Sequence, residues 1–346
     1  MSKGIVQIDG SHMEGGGAVV RLATALSVLT KKPVRIFSIR ANRPNPGLRT
    51  QHLRGLQAIA GFCGARLEGA ALGSREIFFY PGKVSEKRIE ISIETAGSVG
   101  LVLQSLLIAA MRAKERVVIE INGGATFGKY APPLQYIQFV LLPVLRRMGY
   151  QVEINILRHG FYPVGGARVQ VIVNPCGKLS PAEMGERGDV ETVDILSTAS
   201  SGLKKPRVAE RQTRAALDML KARGYDPKVR SVYSDSKCPG SGVVVVAKTS
   251  NGCFLGSDGL GEKGKPAEQV GEEAAAKLLG IIDSGATVDE HMSDQILPYM
   301  ALAEGKSSVV APALTSHAET NMWVIRQFLG IDFRAEKEGA NVRISV

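Results

Sequence analysis

The sequence predicts an α/β (α+β) protein built of three βαβαββ repeats, the last interrupted by a small inserted α/β domain. Two observations carry this expectation. One order of strand-like and helix-like stretches recurs down the chain, and one long segment breaks that order with a pattern of its own.

The first repeat reads as a strand over residues 4–9, a helix over 17–29, a strand over 34–39, a helix over 50–62, and short strands over 66–69 and 76–80. The second gives strand 88–93, helix 98–112, strand 116–121, helix 133–148, and strands 151–157 and 167–173. The C-terminus has the same ending: helix 291–303, strand 307–311, helix 317–329, and strands 332–336 and 342–346. Helices follow from apolar spacing of three and four, strands from alternation, and stops from glycines such as Gly64 and Gly149. The interruption reads as strand 190–197, helix 208–222, strands 228–233 and 243–248, a Gly- and Lys-rich loop, and helix 267–279. The expected division is a repeat-built domain over 1–183 and 280–346, with 184–279 inserted.

Composition narrows the class. At 346 residues and 44% hydrophobic content, the chain can bury large cores. Its longest apolar run, 101–111, is interrupted by Gln104 and Ser105 and suits a buried helix better than a membrane span. No basic-then-apolar leader opens the sequence, and Cys63, Cys176, Cys238 and Cys253 are scattered without metal-ligand spacing. Reduced thiols in a cytoplasmic protein are therefore expected. The net charge is +10, and up to Arg66 ten Lys or Arg residues face only Asp9 and Glu14, which favours a polyanionic partner. With 5% aromatic residues and no aromatic strand for base stacking, an anion held by arginines is the better expectation.

Several strings suit phosphate chemistry. After His12-Met13, Glu14 precedes Gly15, Gly16 and Gly17, with Arg21 on the following helix. Such glycines expose N–H groups at a helix's positive end, and Glu14 could ligate a divalent metal sharing phosphate oxygens. Arg40 and Arg43 lie on a Pro-stiffened loop, and Gln51 and His52 follow at a helix start, a plausible phosphate clamp. Gln104 sits in an apolar helix opened by Thr95-Ala96-Gly97-Ser98, and residues 159–166 form a turn-rich aromatic loop. The last repeat holds His291-Met292-Ser293-Asp294-Gln295 and His317, whose helix Thr315 or Ser316 can cap. A helix N-terminus favours neutral, nucleophilic imidazole. Each string also has an ordinary structural reading (a tight turn, a solvated loop, a locally satisfied Gln104 or a polar helix start), so the residues alone lead to a basic α/β protein with several phosphate-suited helix ends.

Taken together the strings resemble the RNA 3'-terminal phosphate cyclase family over nearly the whole chain. They are EGGG with Arg21, SIRANRPNPGL with QHL, TAGS with Gln104, HGFYPVGG, GERG at 185–188, Asp294-Gln295, and His317 with Thr320-Asn321. The resemblance implies the repeat fold, with the repeat-built domain catalytic. It implies ATP-dependent conversion of an RNA 3'-phosphate to a 2',3'-cyclic phosphate, a ligase reaction through covalent His317–AMP and then RNA-adenylate. ATP binding would fall to Gln104, His291, Met292, Ser293, Asp294 and Gln295, and phosphate binding to Arg21, Arg40, Arg43, Gln51 and His52. Glu14 would bring Mg or Mn. The implied partners are ATP and RNA with a 3'-phosphate end, with no membrane and a homodimer suggested. Ala18, Ala167 and His291 depart from common family residues (Gln, Gly and Tyr). Rival readings are an enolpyruvyl transferase of related repeats, or a non-catalytic RNA-processing scaffold; the presence of His317 speaks against the second.

Overall fold

Three four-stranded sheets share one strand order in the computed structural model, which describes residues 4–84 and 86–346. In the first, β1 (Val6–Asp9) pairs parallel with β2 (Val34–Phe37), followed by β4 (Ile77–Tyr80) and β3 (Arg66–Glu68), both antiparallel. Helices α1 (Gly17–Thr30) and α2 (Thr50–Cys63) make its connections. The second sheet runs β5 (Arg88–Ser98), β6 (Val117–Ala125), β8 (Arg168–Asn174), β7 (Gln151–Arg158), with α3 (Val99–Ala110) as its first crossover. Its second helical stretch comprises α4 (Leu134–Tyr136), a π-helical turn (Ile137–Leu141) and α5 (Leu142–Arg147). Pro143 has no N–H to continue the usual ladder, and the Leu142 N–H reaches back five residues to Ile137 O.

The third sheet opens with β9 (Glu183–Met184), a two-residue strand too short to carry alternation and therefore absent from the sequence expectation. Its partner β14 (Ser308–Ala311) lies more than a hundred residues downstream. The chain between them forms another four-stranded sheet of order β11-β10-β12-β13: β10 (Val190–Ser200), β11 (Lys228–Ser234), β12 (Ser241–Thr249) and β13 (Phe254–Leu260). Helices α6 (Val208–Ala222) and α7 (Ala267–Ser284) pack together over it, around a separate apolar core that includes Ile195, Leu220, Val245 and Leu278. Then come α8 (Glu290–Gln295), α9 (Leu297–Leu302), α10 (Ser316–Leu329), β15 (Arg334–Glu338) and β16 (Asn341–Ser345). Read from β9, the sheet order β9-β14-β16-β15 repeats that of the other two.

The structure corrects three element expectations. The loop anticipated after residue 248 contains β13, whose alternation is hidden by Gly256 and Gly259. A Cβ on Gly256 would lie 2.6 Å from the Tyr136 ring, so close packing excludes a larger residue. Helix α7 runs five residues past 279, to the Gly285 cap. The helix expected over 291–303 is two, broken at Ile296. Pro298 has no N–H for the carbonyl of Asp294, and that carbonyl instead accepts from Asn321 Nδ2 at 3.0 Å.

Candidate active site

The glycine turn after β1 brings Glu14 to the start of α10. Met13 and Gly15 both adopt positive φ, of 50° and 59°, which folds the turn back so that the Glu14 N–H meets Thr320 Oγ1 at 3.4 Å. The Glu14 side chain is only 7% exposed. One of its oxygens contacts the Arg43 guanidinium. The other, Oε2, lies 3.8 Å from His317 Nδ1 and makes no hydrogen bond among the described residues.

His317 occupies the first turn of α10, whose cap is Thr315: its hydroxyl accepts from the Ala318 N–H at 3.0 Å. Burial depresses the imidazole pKa, and Arg21, Arg43 and His291 lower it further. The ring is therefore neutral at pH 7, while its side chain remains 48% exposed.

Arg21, on α1, is half-buried and donates from Nε to Gln104 Oε1 of α3 at 3.0 Å. Burial lowers its pKa to about 10 against the pull of Asp294, so it stays a cation. His52 packs its ring edge where a Cβ on Gly17 would stand, 2.3 Å from Nε2. Its Nδ1 accepts from the Arg49 N–H at 3.1 Å. Burial, with Arg21, Arg40 and Arg49, pushes the His52 pKa down to about 3.

A cleft of about 300 Å³ opens beside these groups. Arg21, Gln104, His317 and Asn321 contribute to its polar lining, as do His291, Asp294 and Gln295. Leu101, Ile108, Ile137 and Leu141 supply apolar surface, with Tyr130 and Pro132 at the loop after β6. A neutral histidine, the Arg21 cation and a hollow with apolar walls suit a phosphorylated ligand with a flat organic part.

The family model for RNA 3'-terminal phosphate cyclase matches residues 12–335. The chain belongs to the RNA 3'-terminal phosphate cyclase family. Proteins named RNA 3'-terminal phosphate cyclase from Methanopyrus kandleri and Caldivirga maquilingensis are 42% and 41% identical, each over 99% of this chain and 98% of the relative. That from Pyrococcus furiosus is 44% identical over 96% of this chain and 95% of its own length.

Within this cyclase-family chain the sequence candidates fall into groups. Glu14, Arg21, Arg43, Gln104, His291, Asp294, Gln295 and His317 gather at or around the cleft. Gln51 and His52 border a small hollow on the other side of Arg21. Arg40 has φ of 53° and donates to the carbonyls of Asn45 and Gly47, at 2.7 and 3.0 Å, shaping the loop that carries Arg43. Met292 and Ser293 are fully buried and line no part of the cleft; the Ser293 hydroxyl donates to Glu290 O.

Two carboxylates at the site were not among the candidates. Asp289 caps α8, its Oδ1 accepting from the His291 and Met292 N–H groups at 3.0 Å and from the Tyr136 hydroxyl at 2.5 Å. Its Oδ2 accepts from the Gly256 N–H at 2.8 Å. Asp258, on β13, lies 3.4 Å from His291 Nε2. Burial works to lower the His291 pKa, but the Asp258 contact and the charges of Asp289 and Asp294 outweigh it and raise the value. Asp294 is half-buried, and desolvation pushes its pKa up to about 7 although His291 and Arg21 oppose the shift. Asp289 had a legible signal, an acid just before a helix start; Asp258, in a segment read as loop, had none.

Glu14 also answers whether a divalent cation fits. Among the described residues no three His, Cys, Asp or Glu side chains cluster as a metal cage. A single buried carboxylate oxygen without a hydrogen bond, beside a phosphate-suited cleft, matches an ion held largely by substrate oxygens.

Proposed function

We propose that this protein is an ATP-dependent RNA 3'-terminal phosphate cyclase working through covalent His317–AMP. The observation that carries the reading is His317 itself: a neutral, half-exposed imidazole at a helix N-terminus, lining a cleft that also holds Arg21 and Gln104.

In this reading the His317 lone pair attacks the α-phosphorus of ATP and pyrophosphate leaves with the bond electrons. An oxygen of the RNA 3'-phosphate then attacks the same phosphorus, breaking the N–P bond and returning the imidazole. The RNA phosphate, a poor electrophile, now carries AMP as its leaving group. The vicinal 2'-hydroxyl attacks it and gives up its proton to solvent, AMP departs with the bond electrons, and the cyclic phosphate remains. Neutral His317 supplies the nucleophile. Arg21, fixed by Gln104, supplies charge aimed at transferring phosphate oxygens. Arg43 and the Gln51–His52 helix start would receive the remaining phosphates, and Arg40 would hold their loop. His52, neutral at pH 7, would act there as a hydrogen-bonding group without charge.

The apolar part of the cleft would take the base, beside His291 and the Asp294-Gln295 pair. Glu14 would hold Mg or Mn, which when bound would offset phosphate charge. The same proposal assigns catalysis to residues 1–183 and 280–346, treats 184–279 as an insert with its own core, and includes a cytoplasmic homodimer. Among the described residues no helix is long and apolar enough to cross a membrane.

The test is end-group analysis of RNA ending in a 3'-phosphate after incubation with the protein, ATP and Mg. The expected product resists phosphatase until a mild acid step opens the cyclic phosphate. An end that stays phosphatase-sensitive with folded protein would contradict the proposal.

A further inference from the structure

A second, larger hollow lies between the inserted sheet and the second repeat, about 770 Å³ in volume and apart from the cleft beside His317. Phe127 and Phe161 form its floor, stacked at 5.9 Å between ring centroids. The insert packs directly on this floor: a Cβ on Gly240 would lie 2.3 Å from the Phe161 ring, and one on Gly242 2.2 Å from Phe127. The walls carry Lys129, Arg211, Lys263 and Lys265, of which Arg211 and Lys265 are paired with Glu268 and Glu273, and Glu262 is the carboxylate in the lining.

Two tyrosines stand out from the surface along this line. Tyr162, on the groove wall, is 75% exposed. Tyr130 is 99% exposed and sits at φ of 62°, a conformation a bulky residue seldom adopts. Its neighbour Lys129 lines the groove, whereas Tyr130 lines the cleft, so these two consecutive residues join the hollows.

We propose that this groove binds single-stranded RNA upstream of the reacting 3'-end, with Tyr162 as a stacking platform and Lys263 and Lys129 on the phosphates. The inference rests on the cyclase reading above. Exposed aromatic rings interleaved with cations form a sequence-tolerant track for single strands, because every base offers a π-face and every nucleotide a charge. Continuity with the cleft supplies direction: a strand in the groove can pass Tyr130 to the site where its end reacts. Lys263 makes no ion pair among the described residues, and Lys129 is held by Glu262 at 3.0 Å across the groove mouth. An exposed pair of this kind is weak and yields readily to a phosphate. Among the lining residues Glu262 is the carboxylate that opposes RNA, the acids paired with Arg211 and Lys265 lying outside the lining.

The experiment uses the full chain, with a trinucleotide and a pentadecamer of RNA, each fluorescently labelled and ending in a 3'-phosphate. Binding is read by anisotropy over a salt series, and self-adenylation by ATP is measured separately without RNA. The wild type should prefer the longer strand. Tyr162→Ala should weaken pentadecamer binding by about tenfold and leave the trinucleotide unchanged. Lys263→Ala should flatten the salt slope by about 0.7. Glu262→Gln should tighten pentadecamer binding, a gain that misfolding cannot imitate. Both losses should leave self-adenylation at the wild-type level. A wild type that adenylates itself yet shows no length preference, or variants that bind the longer strand as the wild type does, would overturn the groove assignment. Failure of the wild type to adenylate itself would count against the proposed function instead.

Discussion

Asn321 donates a 3.0 Å hydrogen bond from Nδ2 to the backbone carbonyl of Asp294, the carbonyl that Pro298 leaves without a helical donor. One amide thus ties the helix bearing His317 to the segment bearing His291 and Asp294. Asn321→Leu leaves that carbonyl unpaired and should cost about 1–3 kcal/mol of stability. It should also raise the KM for ATP more than it lowers kcat, because it loosens one wall of the cleft. Denaturant titration and steady-state kinetics check both.

The acid sensitivity of the fold follows from two buried histidines. Burial, aided by neighbouring arginines, holds His52 near a pKa of about 3, and burial holds His159 near about 4. Both are neutral in the folded protein but protonate in the unfolded chain near the ordinary histidine value of 6.5. Stability contributed by the neutral rings is therefore present above 6.5 and lost as pH falls toward the folded values. Between neutrality and pH 5 each should remove on the order of 2 kcal/mol. Denaturant midpoints at the two pH values, compared with His159→Asn, measure this loss; unchanged midpoints would contradict it.

Asp289 joins three parts of the chain. Its carboxylate accepts from the Tyr136 hydroxyl, the Gly256 N–H and the first turn of α8. Asp289→Ala would strand several buried donors, each worth about 1–3 kcal/mol. A large fall in Tm is expected, with faster amide exchange at Gly256 and His291.

His291 titrates above the usual histidine value because nearby carboxylates outweigh its burial, with Asp258 the leading favourable partner. Asp258→Asn should lower that pKa, as an NMR titration of the ring would show. An unmoved value would mean that Asp289 and Asp294 alone set it.

Much of the fold was legible in the sequence, because repeated amphipathic helices and alternating strands bury one face whatever they pack against. What failed to show had local causes. The two residues of β9 are too few for a pattern, and Gly256 and Gly259 erase the alternation of β13. Pro298 could have signalled the helix break, since proline removes a donor, although not the Asn321 side chain that replaces it. The family resemblance pointed to Glu14, Arg21, Gln104, Asp294 and His317, which tertiary packing brings to one place. It could not show that Met292 and Ser293 turn inward, since helical periodicity over one short turn does not fix a face. Nor could it show that Asp258, from the inserted sheet, reaches His291.

The central claim is the nucleophile. Wild type and His317→Ala are incubated with α-labelled ATP and Mg, denatured, and examined for label on the chain. The account predicts acid-labile label on the wild type, none on the variant, and discharge by RNA ending in a 3'-phosphate. Label of equal strength on His317→Ala, or none on a folded wild type that binds ATP, would contradict it.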